Sequence, residues 1–122
     1  MASRAADSTS CFLFVYGSLK HGRANHHQLH AAEFLAAART AAGFALRVID
    51  GYPALVPGAR AIVGELYRIA ADALPALDDF EGPGYVRREI DLGGGQRAFS
   101  YLARVPAAGA PYPGDDWPMF AD

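Results

Sequence analysis

The sequence predicts an α+β fold: a small mixed β-sheet curled into a barrel-like core, with two or three short helices. Three observations predict it. Strand signals outnumber helix signals along the chain. The long helical crossovers of a doubly wound fold are missing. Gly and Pro residues fall between the apolar runs, where turns belong.

The first strand is residues 11–16, CFLFVY, a continuous apolar run that suits burial on both faces. Gly17-Ser18 ends it, and a loop follows with Lys20, His21, Gly22 and Arg23. Asn25 stands where a helix N-cap would, before His26-His27-Gln28-Leu29-His30. Local propensity alone extends this helix to Ala38, because Leu29, Ala32 and Ala36 share a helical face. Phe44, Leu46 and Val48 then alternate with Ala45 and Arg47, a strand period of two. Gly51-Tyr52-Pro53 breaks that strand, and Pro57-Gly58 marks a second turn. Residues 61–69, AIVGELYRI, form the best strand pattern, with Gly64 marking a bulge or a close backbone approach. Asp72 can cap a helix over residues 73–80, with Pro75 tolerated in the first turn and Gly82 as the stop. Residues 85–92 and 97–104 read as a hairpin around Gly93-Gly94-Gly95. The Pro-rich end reads as irregular, wrapping the surface and anchored by Tyr112, Trp117 and Phe120.

At 122 residues, one domain is expected over residues 11–122, after a flexible tail at 1–10. Hydrophobic residues make up 52%, enough for a core and too many for a disordered chain. Eleven basic and thirteen acidic residues leave a net charge of −2, without the basic excess of a nucleic-acid binder. The lone Cys11 permits no intrachain disulfide and fits a reduced, cytoplasmic setting. At the start of an apolar strand it reads as a small buried hydrophobe rather than a nucleophile. No run of 18 apolar residues exists, so no membrane span is expected, and MASRAADSTS lacks the apolar core of a signal peptide.

Two features carry chemistry. On the second helix Leu74 and Leu77 form the apolar stripe, and Glu81 lies four residues beyond Leu77 on the same face. Asp78 and Asp79 point elsewhere and read as solvated. A carboxylate among leucines loses hydration, which raises its pKa and suits it to proton transfer near neutrality. The plainer alternative is a frayed helix end, with Glu81 in solvent or paired with Arg87. The second feature is the loop after the first strand. Successive N–H groups at such a bend can converge on an anion, with Gly17 permitting the turn and the Ser18 hydroxyl as a further donor; the plainer alternative is an ordinary Gly-Ser turn. No GxxxxGK[ST] or GxGxxG supports a nucleotide, and no G-x-S-x-G surrounds Ser18. His26 and His30 share a helix face, but no HExxH glutamate accompanies them, so neither metal nor cofactor is expected.

Several stretches also occur in a telling order. The first is Phe14-Val15-Tyr16-Gly17-Ser18-Leu19, followed by Gly22 and Asn25. The second is Gly51-Tyr52-Pro53-Ala54-Leu55-Val56-Pro57-Gly58, and the third Val63-Gly64-Glu65-Leu66-Tyr67. Then come Leu77-Asp78-Asp79-Phe80-Glu81-Gly82, Tyr85 with Arg87, Tyr101, and Gly114-Asp115-Asp116-Trp117. Together they resemble the gamma-glutamylcyclotransferase-like family, including its gamma-glutamylamine cyclotransferase and AIG2-like branches. The resemblance implies a barrel-like α+β domain with a single pocket. It also implies that residues 34–40 are a strand and that the first helix ends near His30. It implies cyclisation of a gamma-glutamyl amine or amino acid to 5-oxoproline, the substrate's own α-amine attacking its γ-carbonyl. Glu81 would then be the general acid/base. Tyr16, Gly17, Ser18, Leu19 and Tyr85 would bind substrate, the loop amides holding either the α-carboxylate or the oxyanion. Neither cofactor, nucleic acid nor membrane is implied, and a monomer is expected. The alternative is a non-catalytic small-ligand-binding protein on the same scaffold.

Overall fold

In the computed structural model, which describes residues 9–20, 25–29 and 32–117, β1 (Ser10–Val15) runs through the middle of the sheet. On one side it pairs antiparallel with β5 (Val63–Ala70), from Ser10↔Ala70 to Val15↔Glu65. On the other it meets β7 (Arg97–Ala103) in parallel, at Leu13↔Phe99. A strand flanked and covered in this way must be apolar on both faces, and Leu13, Phe14 and Val15 are all buried. The tail expected at residues 1–10 falls on residues 1–8 outside the described region, and Ser10 already belongs to β1.

The remaining strands are β2 (Glu33–Arg39), β3 (Phe44–Ile49), β4 (Tyr52–Pro57), β6 (Tyr85–Asp91) and β8 (Ala110–Tyr112). The sheet order is β2-β5-β1-β7-β4-β3-β8, with β6 also on β7. β7 therefore serves three neighbours: β6 along its length, and β1 and β4 through short parallel contacts, the latter at Leu55↔Leu102. Such branching curls the mixed sheet into a half-barrel, as the α+β prediction required. Alternation along β1 divides the core. Leu13 and Val15 pack with Leu74, Leu77 and Tyr101 under the helix α1 (Leu74–Glu81), while Phe14 and Tyr16 pack with Leu46, Leu55 and Ile62 inside the curl. Among the described residues α1 is the single α-helix, joined by 3-10 turns at His26–Leu29 and Ala71–Ala73. Among the described residues no helix is long and apolar enough to cross a membrane.

Four local readings change. The alanine-rich run after Glu33 is a strand, because β2 pairs with β5 from Glu33↔Arg68 to Arg39↔Val63 and inter-strand bonding overrides helix propensity. β4 was hidden behind its prolines. It pairs with β3 through Ile49↔Tyr52, a two-residue hairpin whose turn residues Asp50 and Gly51 have φ of 53° and 84°. Asp-Gly suits such a turn, since both positions need positive φ. Asp72 caps nothing: the residue before α1 is Ala73, with no side-chain cap bond. The Pro-rich end is partly ordered strand, with β8 on β3 and the Arg47 guanidinium donating to the carbonyls of Ala107, Ala108 and Gly109. Trp117 is buried as expected, whereas Phe120 lies outside the described residues.

Gly64 marks a close approach rather than a bulge. A Cβ there would run into the Val15 carbonyl and the Phe14 ring, while the irregularity sits in the facing strand, between Phe34 and Ala36.

Candidate active site

A cavity of about 600 Å³ opens where β1 ends and α1 ends. Its wall is built by the Phe14–Leu19 segment, Asn25, the β3–β4 hairpin from Ile49 to Pro53, and the Phe80–Tyr85 corner with Tyr101 behind it. All six sequence candidates line it: Tyr16, Gly17, Ser18, Leu19, Glu81 and Tyr85. They come from three separate elements, so only the tertiary fold brings them together.

Glu81 is the last residue of α1, and Gly82, at φ 82°, turns the chain away immediately after it. Leu74 and Leu77, on the same face, are buried. Glu81 is partly buried, and loss of hydration pushes its carboxyl from 4.5 up to about 7. A carboxyl titrating near neutrality can accept and return a proton in one cycle. Arg87 does not neutralise it. The Arg87 guanidinium grips Asp78 instead, with Nε 2.9 Å from Oδ1 and a second N–H 3.1 Å from Oδ2.

Asp78 is therefore not the solvated residue that its helix face suggested. Its Oδ1 also accepts the Tyr101 hydroxyl at 2.6 Å. Burial pushes the Asp78 carboxyl up, but the bonds from Tyr101 and Arg87 outweigh it and hold the carboxyl low. Through Tyr101 this anchor reaches the loop. The Tyr16 hydroxyl donates to the Tyr101 carbonyl at 2.6 Å and accepts the Leu55 N–H at 3.0 Å. The helix carrying Glu81, the strand β7, the strand β4 and the start of the loop are thus tied by one chain of hydrogen bonds. Burial pushes the Tyr16 and Tyr101 phenols well up, so both stay protonated donors at neutral pH.

The loop is shaped by its own bonds. Lys20 N–H donates to the Gly17 carbonyl, Asn25 N–H to the Ser18 carbonyl, and Asn25 Nδ2 to Ser18 Oγ at 2.9 Å. The amides of Gly17, Ser18 and Leu19 find no acceptor among the described residues, although Gly17 and Leu19 are buried. Free amides at a cavity wall are donors in want of an anion. The reason for glycine at position 17 differs from the expected one. Gly17 does not have a positive φ; a Cβ there would sit 2.6 Å from Pro53 Cγ. Lys20, the first cation of the loop, is absent from the cavity lining. Its ammonium is buried against Asp116 Oδ1, at 3.1 Å, and near the Trp117 carbonyl, so it fastens the C-terminal segment instead of edging the cavity. His21, Gly22, Arg23 and His30 lie outside the described residues. His26 bonds through Nδ1 to the Leu19 carbonyl and packs near Tyr67, and among the described residues no group of three metal-ligand side chains forms. Cys11 is partly buried, outside the cavity lining, and bonded to the Ile69 carbonyl, as a structural thiol would be.

Asp50, Tyr52 and Phe80 line the cavity without having been singled out from sequence. The Asp-Gly hairpin signal was present, but nothing local says which cavity a turn will overhang. Tyr101 was noticed only as part of a sequence pattern, and Asn25 was read as a helix cap, whereas its side-chain amide donates to Ser18 Oγ.

The profile described as Gamma-glutamyl cyclotransferase, AIG2-like, matches residues 13–119. The chain belongs to this family. It is 37% identical over 107 residues to gamma-glutamylaminecyclotransferase A of Danio rerio, covering 73% of this chain and 66% of that protein. It is 34% identical over 82 residues to the gamma-L-glutamyl-butirosin B gamma-glutamyl cyclotransferase of Niallia circulans, covering 65% and 53%. The chain thus spans less than two thirds of the length of these two relatives. The crystal structure of an AIG2-like protein from Mus musculus superposes with a TM-score of 0.74 at 27% identity, over 89% of this chain and 88% of that one. That AIG2-like protein shares the half-barrel α+β fold, and Tyr16 to Tyr101 fall within the span matched by the family profile.

Proposed function

We propose that this protein cyclises gamma-glutamyl amines to 5-oxoproline and releases the amine, with Glu81 moving the proton. The observation that carries the reading is Glu81 itself: a carboxyl pushed by burial to about pKa 7, at the wall of a cavity that is also lined by residues 17–19, whose amides have no acceptor among the described residues. The substrate's α-amine supplies the nucleophile, so no serine or cysteine centre is needed. Ionised Glu81 takes a proton from the α-ammonium. The freed nitrogen lone pair forms a bond to the γ-carbonyl carbon, and the C=O pair moves onto oxygen. When the oxyanion collapses, the C–N bond to the leaving amine breaks, Glu81 returns its proton to that nitrogen, and the new ring nitrogen gives up its second proton to solvent, which leaves the neutral lactam.

The amides of residues 17–19 hold an anionic oxygen of the glutamyl unit, a contribution of about 3 kcal/mol per donor when the charge develops in the transition state. Tyr85, fixed by its hydroxyl bond to the Pro53 carbonyl at 3.0 Å, closes the wall beside Glu81. Five-membered ring closure is fast once the chain is folded back on itself, so binding the bent substrate supplies much of the acceleration.

The test is incubation with a panel of gamma-glutamyl amines and dipeptides, reading 5-oxoproline. Wild type should release it from at least one compound and Glu81→Gln from none. Wild-type protein that binds members of the panel and releases no 5-oxoproline would be a binding protein on this scaffold.

A further inference from the structure

Lysine is among the residues least often buried, because its ammonium gives up hydration. Lys20 is nevertheless only 6% exposed. Its Nζ donates to Asp116 Oδ1 at 3.1 Å and lies 3.5 Å from the Trp117 carbonyl. Neither Lys20 nor Asp116 lines the cavity. For stability alone an apolar side chain of similar volume serves as well or better, which leaves position as the property such a pair can add.

The position it adds is that of the loop amides. Lys20 is the fourth residue of a turn that its own N–H closes on the Gly17 carbonyl, at 3.0 Å. That bond leaves the N–H groups of Gly17, Ser18 and Leu19 without acceptors among the described residues. The near end of the turn is set by β1 and by the close approach of Gly17 to Pro53. The far end is tied through the Lys20 side chain to residues 116 and 117. Those residues are themselves moored. The Asp115 carbonyl accepts the Val63 N–H at 2.8 Å, and Trp117 is buried with its ring 5.2 Å from that of Tyr112. We infer that Lys20 and Asp116 are positioning residues: their pair clamps the turn at residues 17–20 against residues 114–117, and so holds the amides of 17–19 where they receive an anionic oxygen of the substrate. The inference rests on the reading of those amides as the anion-binding donors.

Lys20→Met keeps the stem and removes the charge, and Asp116→Ala removes the acceptor. Arg39→Gln is the control: it breaks the exposed Arg39–Asp115 pair of the same segment and lies outside the turn and the cavity lining. Two quantities are read on folded variants: the amide NMR resonances of Gly17, Ser18 and Leu19, and kcat/KM for the best substrate in the gamma-glutamyl panel. Lys20→Met and Asp116→Ala should each shift those resonances and lower kcat/KM roughly tenfold to a hundredfold, as displaced donors do. The double variant should cost no more than the worse single one, because the second substitution breaks nothing further. Arg39→Gln should change neither quantity. Unshifted resonances or unchanged kcat/KM in both single variants overturns the inference. So does a loss in Arg39→Gln as large as theirs, which would assign the effect to the stability of the segment. A rise in kcat/KM for Asp116→Ala with a fall for Lys20→Met also overturns it, since the Lys20 charge would then act on the substrate directly. Failure of both single variants to fold makes the pair a stability element and overturns it as well. Wild type that binds panel members without releasing 5-oxoproline removes the catalytic reading alone. The dissociation constants then read the clamp, weakened in both variants if it holds and unchanged if it does not. Wild type that neither binds nor turns over the panel overturns both.

Discussion

Glu81 has two consequences that one substitution can separate. Glu81→Gln keeps the shape and removes the base, so kcat should fall by at least about a hundredfold. In wild type, kcat/KM should rise with pH through about 7, where the base ionises. Stability should run the other way. The folded carboxyl titrates at about 7 and the unfolded one near 4.5, so between these values the folded state binds more protons and stability falls as pH rises. Above pH 7 the full cost of a desolvated charge is present, up to about 3 kcal/mol. Glu81→Gln should therefore be the more stable protein at pH 8, with the advantage gone below pH 4.5. Equal urea midpoints at both pH values would mean that Glu81 is hydrated. Gly17 makes a different argument. Its added Cβ would meet the Pro53 ring, which has no alternative rotamer to retreat into, so Gly17→Ala should cost about 1–3 kcal/mol. Pro53→Ala in the same chain should recover part of that loss, a coupling that a double-mutant cycle measures. Ser18→Ala removes one hydroxyl bonded to Asn25 and should cost only about 1 kcal/mol.

α1 presents Glu81 to the cavity, yet it is only eight residues long, too short to be stable alone. Its apolar stripe explains burial, and Asp78 explains orientation, by fixing the helix to β6 through Arg87 and to β7 through Tyr101. The Asp78 carboxyl is held below its ordinary 3.8, so the stabilisation it brings is present above that value and lost as the pH falls through the lowered one. Asp78→Asn should lower the urea midpoint at pH 7, and the gap from wild type should shrink progressively in acid. A gap that persists at low pH would mean that neutral hydrogen bonding, not charge, makes the anchor. The strand β2 teaches the converse lesson. Its alanines favour a helix taken alone, and its edge place beside β5 makes it a strand.

The β1–β5 pair joins the edge strand β2 to the rest of the half-barrel. Gly64 of β5 lies against β1, and any side chain there presses on the Val15 carbonyl and the Phe14 ring. Gly64→Ala should push the two strands apart and lower Tm on the order of 10 °C. Gly84→Ala is the control, because its Cβ would enter open space without a positive φ, and it should leave Tm within a few degrees. Similar Tm values for the two variants would show that the β1–β5 pair relaxes without cost.

The sequence alone determined the elements whose cause is local. An apolar run makes β1, alternation makes β3, a triple glycine joins β6 to β7, and a spacing of four places Glu81 with the leucines of its helix. Glu81 and the loop were legible because helical period and turn chemistry act over a few neighbours, whereas Tyr85 came only with the family resemblance. Tertiary structure decided what depends on distant partners. Tyr16 bonds to Tyr101 across 85 positions, and Lys20 to Asp116 across 96, and no local pattern carries such pairings. The same holds for β4 behind its prolines, for the contact that makes residue 17 a glycine, and for Asp50 at the cavity wall. Dihedral preference and periodicity are properties of neighbouring residues, whereas a cavity, a desolvated carboxyl and a close approach arise only when chain segments far apart in sequence pack together.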